Sequence, residues 1–142
     1  MNFYKLILVI SLLFVCQQAL AEKVYVVVHN NNNQDITPDL VKQIYSDKVS
    51  FWKNGETILV FELPVTSNAR EKFAYDVLSK SSISSQRDWS NRFVNNTIKN
   101  QVKVKPQRLV ARFVAKKENA IGYISETQLQ STQNVRVVMV IE

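Results

Sequence analysis

The chain has 142 residues, a single cysteine, two glycines and a formal net charge of +6. That length supports one compact core and is too short for two full domains. The two glycines exclude a glycine-rich phosphate loop, and the basic balance favours anions, acidic proteins or membrane surfaces as partners.

The first element is a leader. Lys5 precedes an unbroken apolar run over residues 6–15, and Ala19-Leu20-Ala21 has the small-x-small form of a signal-peptidase site. Residues 1–21 are therefore expected to be a cleaved signal peptide and residues 22–142 the domain, exported to the periplasm. The apolar run is too short to anchor in a bilayer, and Val15 before Cys16 is not the small residue that lipoprotein processing wants. Cleavage removes the only cysteine, which excludes a disulfide, a thiolate nucleophile and a cysteine metal site. It also removes Lys5, leaving 17 basic and 12 acidic side chains and a net charge of +5. Nucleic acid is a poor partner for an exported chain.

Residues 23–28 form a β-branched run with little alternation, the pattern of a strand covered on both faces. A polar loop over residues 29–35 follows. Thr37-Pro38 reads as N-cap and first-turn proline of a helix that buries Leu40, Val41, Ile44 and Tyr45 and ends near residues 46–48. Asn54-Gly55 marks a turn into a strand over residues 58–61. A short loop with Pro64 then opens a helix at Ser67-Asn68, which carries Phe73, Val77 and Leu78 to about Ser79.

A serine-rich link over residues 79–85 precedes a helix whose Trp89 and Phe93, four apart, share a face. Residues 95–105 are polar, basic and unassigned. Pro106 opens a helix buried along Leu109, Val110, Phe113 and Val114, with Glu118-Asn119 as its end. Residues 120–124 and 135–141 read as strands, the second almost wholly apolar and expected to be fully buried. Strands alternating with helices predict an α/β fold, a mainly parallel or mixed sheet flanked by helices.

Val24 to Asn30, Leu40-x-x-Ile44-Tyr45-x-x-Lys48, Trp52-x-Asn54-Gly55, Pro64-x-x-Ser67-x-x-Arg70-Glu71-x-Phe73, Trp89 and Ala120-Ile121-Gly122-Tyr123 fall in one order. Together they resemble the small one-lobe relatives of the phosphate-binding proteins that serve ATP-driven phosphate importers, over residues 24–141. The resemblance implies a single periplasmic-binding-protein-like lobe with solute bound at the loops after its strands. In the two-lobed proteins an Arg-x-Asp-Gly-Ser-Gly-Thr motif leads into the phosphate-binding helix. Here Ser67 keeps the first serine, while Leu63 stands for the arginine, Val65 for the aspartate, and Asn68 and Ala69 for the following glycine and threonine.

The candidate oxyanion ligands are Ser67, Asn68, Ala69 and Arg70, because a helix start carries unpartnered N–H groups and partial positive charge. Plain capping is the competing reading, Ser67 or Asn68 serving as N-cap and Asn68 with Glu71 imitating a capping box. Arg70 opposes the helix dipole at a cost of about 0.3–1 kcal/mol, which an anion or Glu71 would offset; a solvent-facing side chain is its bland reading. His29 and Asn30 join the candidates because they end the first strand, where α/β ligand crevices form. Trp52, Trp89 and Tyr123 are read as packing residues. Lys105, Arg108, Arg112 and Lys116 share one side of the Pro106 helix and form either a docking face for an acidic partner or a solvated face.

No nucleophile, base and orienting group stand in a recognisable set, so the chain is expected to be a binding protein and not an enzyme, with no cofactor and no metal. The expected ligand is phosphate or another small oxyanion. Expected partners are importer membrane subunits, an envelope sensor protein or a second copy forming a homodimer. A lobe that keeps the fold and serves only as an interaction or sensor-accessory module is the alternative.

Overall fold

The computed structural model describes residues 22–142, so the expected signal peptide lies outside the described residues. Among these residues five strands form one sheet in the order β3-β2-β4-β1-β5. They are β1 (Val24–His29), β2 (Leu59–Glu62), β3 (Gln101–Val104), β4 (Ala120–Ser125) and β5 (Val135–Ile141). β2 runs parallel to β3 and to β4, whereas β1 is antiparallel to both β4 and β5. The sheet is therefore mixed, with β4 and β1 at its buried centre.

Among the described residues five helices flank the sheet: α1 (Pro38–Tyr45), α2 (Asn68–Phe73), α3 (Ser82–Val94), α4 (Gln107–Val114) and α5 (Glu126–Gln130). Thr37 caps α1 as expected, its hydroxyl accepting from Leu40 N. α2 runs on as a π-helical turn over Ala74–Leu78 and stops at Ser79, which takes the left-handed conformation. Among the described residues no helix is long and apolar enough to cross a membrane.

Gly122 sets the seat of α4. A Cβ at that position would stand 2.6 Å from Val110 Cγ1 and 3.3 Å from Val114 Cγ2, so glycine lets the helix lie close against β4. Beside this seat, Phe73 stacks on Tyr123 with ring centroids 4.0 Å apart, and Tyr45 meets Phe73 edge-on at 4.7 Å. Gly55 ends the Asn-Gly turn at φ +89°, a conformation that glycine adopts without strain.

Four local expectations are corrected, and one segment without an assignment gains its element. β5 is an edge strand with Val137 and Val140 partly exposed, because its apolar run has a neighbour on one side only. The serine-rich link is mostly helix: Ser81 caps α3 by accepting from Ser84 N, and Ser82 and Ser85 are buried in its first turns. Phe93 does not share the burial of Trp89; it is exposed near the end of α3. α4 ends at Val114 without a left-handed Asn119. Asn119 instead accepts the Trp52 indole N–H through its carbonyl at 2.9 Å. Residues 95–105 contain β3, pinned where Asp47 Oδ1 accepts from Asn100 N at 2.9 Å and Asn100 Nδ2 donates to Val49 O at 2.9 Å.

Candidate functional site

The carboxyl ends of β2, β3 and β4 point to one edge of the sheet, where α/β proteins commonly form their ligand crevices. A groove of about 930 Å³ opens there. Pro64, Ser67, Asn68 and Ala69 form one wall, Pro106, Gln107 and Ser125 another, and Val24 enters because antiparallel β1 begins at this end. Four carboxylates also line it, those of Glu22, Glu71, Asp76 and Glu142, against one cation, Lys72.

Ser67 turns the chain into α2. Its N–H donates to Pro64 O at 2.9 Å, closing a tight turn, and its hydroxyl accepts from Arg70 N at 3.3 Å. Ser67 is thus the N-cap, and its carbonyl takes the Glu71 N–H at 3.1 Å. The next two N–H groups, on Asn68 and Ala69, have no intrahelical acceptor, as at any helix start, and both residues line the groove. The capping box does not form, because Glu71 faces the next helix and accepts from Ser82 N at 3.0 Å. Hydrogen bonding from Ser82 holds the Glu71 carboxyl below its ordinary range, and Thr127 does the same for Glu22.

Arg70 is neither a solvent-facing residue nor a groove residue. It is wholly buried. Its Nε lies 3.3 Å from Glu62 Oε2, and its Nη1 donates to Leu63 O at 2.7 Å and to Gln86 Oε1 at 2.9 Å. The Tyr123 hydroxyl donates to the same Oε2, and the Trp89 indole N–H donates to Oε1 at 3.1 Å. Burial pushes the Glu62 carboxyl up from its ordinary pKa, opposed by the Arg70 charge and by these two donors. Burial also raises Tyr45 and Tyr123 well above the usual tyrosine range. The physical reason is a carboxylate at the end of an otherwise apolar strand, which demands a buried cation. Glu62 was missed in the sequence, and its signal was its position as the lone acid in an apolar stretch.

His29 and Asn30 are not brought to the groove. They end β1, and β1 runs against β2 and β4, so they lie at the far edge of the sheet, roughly 17 Å away for a six-residue strand. There His29 Nδ1 accepts from Asn31 N at 2.9 Å and Asn30 N donates to Asn134 O at 3.1 Å. Trp89 and Tyr123 are buried in the Glu62 cluster and Trp52 is buried under Asn119. Of the basic face, Lys105 carries the parallel ladder onward, donating from its N–H to Glu62 O, while Arg108 and Arg112 are exposed on α4 and Lys116 is exposed in the turn after it.

No family model matches the sequence, and no curated protein does. Among solved structures, the chain is similar to an ABC-type phosphate transport receptor from Vibrio cholerae, with a TM-score of 0.62 and 16% identity over 83% of this chain and 46% of that one. It is also similar to a possible phosphate binding protein from Planctomyces limnophilus, with a TM-score of 0.55 and 16% identity over 82% of this chain and 40% of that one. The chain thus spans less than half the length of the receptors it matches. Sheet, helices and groove together place it as a single lobe with the periplasmic-binding-protein fold.

Proposed function

We propose that this protein is an exported, non-enzymatic solute-binding lobe that takes hydrogen phosphate at the start of α2. The observation carrying this reading is the pair of N–H groups without intrahelical acceptors on Asn68 and Ala69, two residues that line the groove where the parallel strands end. Two backbone donors at the positive end of a helix suit a small oxyanion. The acids lining the groove select among oxyanions: hydrogen phosphate retains a hydroxyl that can donate to an ionised carboxylate such as Glu71, and sulfate has none. With Arg70 committed to Glu62, no guanidinium supports the anion, so binding is weak unless importer subunits or a second copy cap the open lobe.

Titration followed at the Asn68 and Ala69 amide resonances tests this, with saturable shifts expected from phosphate and none from sulfate; unmoved resonances at millimolar phosphate overturn it. Asn68→Pro is the sharpest variant. Asn68 is the first helical residue, where proline is tolerated, and Ser67 already has the extended backbone (φ −72°, ψ 128°) that precedes a proline. The change removes one N–H and is expected to weaken phosphate by about tenfold or more, the worth of a hydrogen bond to a charged group.

The closed Glu62–Arg70 pair favours a second reading, an interaction module that has kept the lobe and lost the solute site. Under that reading, phosphate leaves the Asn68 and Ala69 resonances unmoved while an envelope or sensor protein is captured through the surface of α4, and Arg108→Glu with Arg112→Glu abolishes the capture.

A further inference from the structure

A second depression, of about 360 Å³, lies between α4 and α5. Arg108, Ala111, Arg112 and Ala115 form the α4 wall, and Ser131, Thr132 and Gln133 lie opposite. Arg108 and Arg112 are four residues apart on one helix and so stand side by side over the opening. Both are exposed, and among the described residues neither has a carboxylate within ion-pair distance. The hydroxyls opposite are already committed as donors, Thr132 Oγ1 to Gln128 O at 2.6 Å and Ser131 Oγ to the same carbonyl at 3.1 Å. The guanidinium groups therefore dominate the chemistry of the cleft, and the small Ala111 and Ala115 side chains keep it open between them.

Two features of α4 make this arrangement unfavourable without an anion. Like charges at i and i+4 repel, and Arg108 stands in a first turn that has neither an acidic residue nor a side-chain cap, where a cation opposes the helix dipole. A dianion bridging both guanidiniums relieves both. Planar guanidinium forks match tetrahedral phosphate oxygens, and a phosphate monoester carries close to two negative charges near neutral pH.

We propose that the α4–α5 cleft is a phosphoryl-binding site in which Arg108 and Arg112 together grip one phosphate group, free in solution or carried on a lipid headgroup. The site is separate from the groove and stands independently of the reading given to it. Amide resonances of the isotope-labelled protein distinguish the two, since Arg112, Thr132 and Gln133 report the cleft while Asn68 and Ala69 report the groove.

Titration with inorganic phosphate and with glycerol phosphate is expected to move the cleft resonances saturably. Arg108→Gln with Arg112→Gln should weaken that response by about tenfold or more, and Lys105→Gln with Lys116→Gln should leave it in place. Retention on phosphatidic acid vesicles but not on phosphatidylcholine, lost in the arginine double variant, identifies the lipid as the source. Saturation by the soluble phosphates without vesicle retention identifies the free anion. The proposal is overturned if the cleft resonances stay still and vesicles retain nothing. It is equally overturned if the lysine pair proves as important as the arginine pair, because binding then follows diffuse charge.

Discussion

The groove at the start of α2 and the cleft between α4 and α5 lie on one small lobe and offer opposite chemistry. The groove has four carboxylates and one lysine around a helix start whose arginine has turned inward. The cleft has two arginines with no carboxylate partner among the described residues and no acid in its lining. A net basic charge is therefore a poor guide to where an anion binds, because the cation nearest the helix start in sequence serves the core. On the proposed reading, recognition in the groove falls to backbone N–H groups and to the selectivity of carboxylates. In the cleft as proposed it falls to unneutralised charge, and binding there should weaken as salt is raised.

The largest effect expected from breaking this contrast is on stability. Arg70→Met leaves Glu62 buried without its cation and should cost about 3–5 kcal/mol, read as a lowered urea midpoint, with part recovered by adding Glu62→Gln. A neutral result for Arg70→Met would mean that the arginine is not committed to the core. Gly122→Ala drives a Cβ into Val110 and should cost about 1–3 kcal/mol by overpacking. Because it displaces α4, it should perturb the cleft resonances and spare those of Asn68 and Ala69. Ser67→Ala removes the α2 cap at a cost of about 1 kcal/mol.

A smaller effect distinguishes the two glutamates by pH. The Glu71 carboxyl is lowered by Ser82, so its stabilisation is fully present above the ordinary carboxylate pKa and is lost as pH falls through its depressed folded value. Glu62 is raised by burial, so its contribution has the opposite sense, present below the ordinary value and lost as pH rises through the raised one. Urea midpoints across the acid range should thus show a shallower acid loss in Glu71→Gln, and an unchanged slope would remove that hydrogen bond from the account. Smallest of all, Arg108→Gln with Arg112→Gln should change stability by no more than about 0.5 kcal/mol while weakening the response of the cleft by about tenfold or more.

The elements legible in the sequence are those set by local chemistry. Thr37-Pro38, Asn54-Gly55 and Ser67 mark their boundaries through capping and turn preferences, and the apolar runs mark β1, β2 and β4. What was illegible depended on partners far along the chain. β3 is a short, largely exposed edge strand held by Asp47 and Asn100, which are 53 residues apart. The direction of β1 decides whether His29 reaches the groove, yet its β-branched run reads the same in either orientation. Arg70 lies one turn into its helix, and only the fold brings Glu62, Gln86, Trp89 and Tyr123 around it. Local preference finds the frame, whereas the sign and reach of each charge are tertiary.

The most direct measurement is a phosphate titration of the Arg108→Gln/Arg112→Gln protein followed through the amide resonances of Asn68 and Ala69. With the cleft disabled, the account predicts saturable shifts at these two amides with phosphate and none with sulfate. Unmoved Asn68 and Ala69 resonances at millimolar phosphate would contradict it.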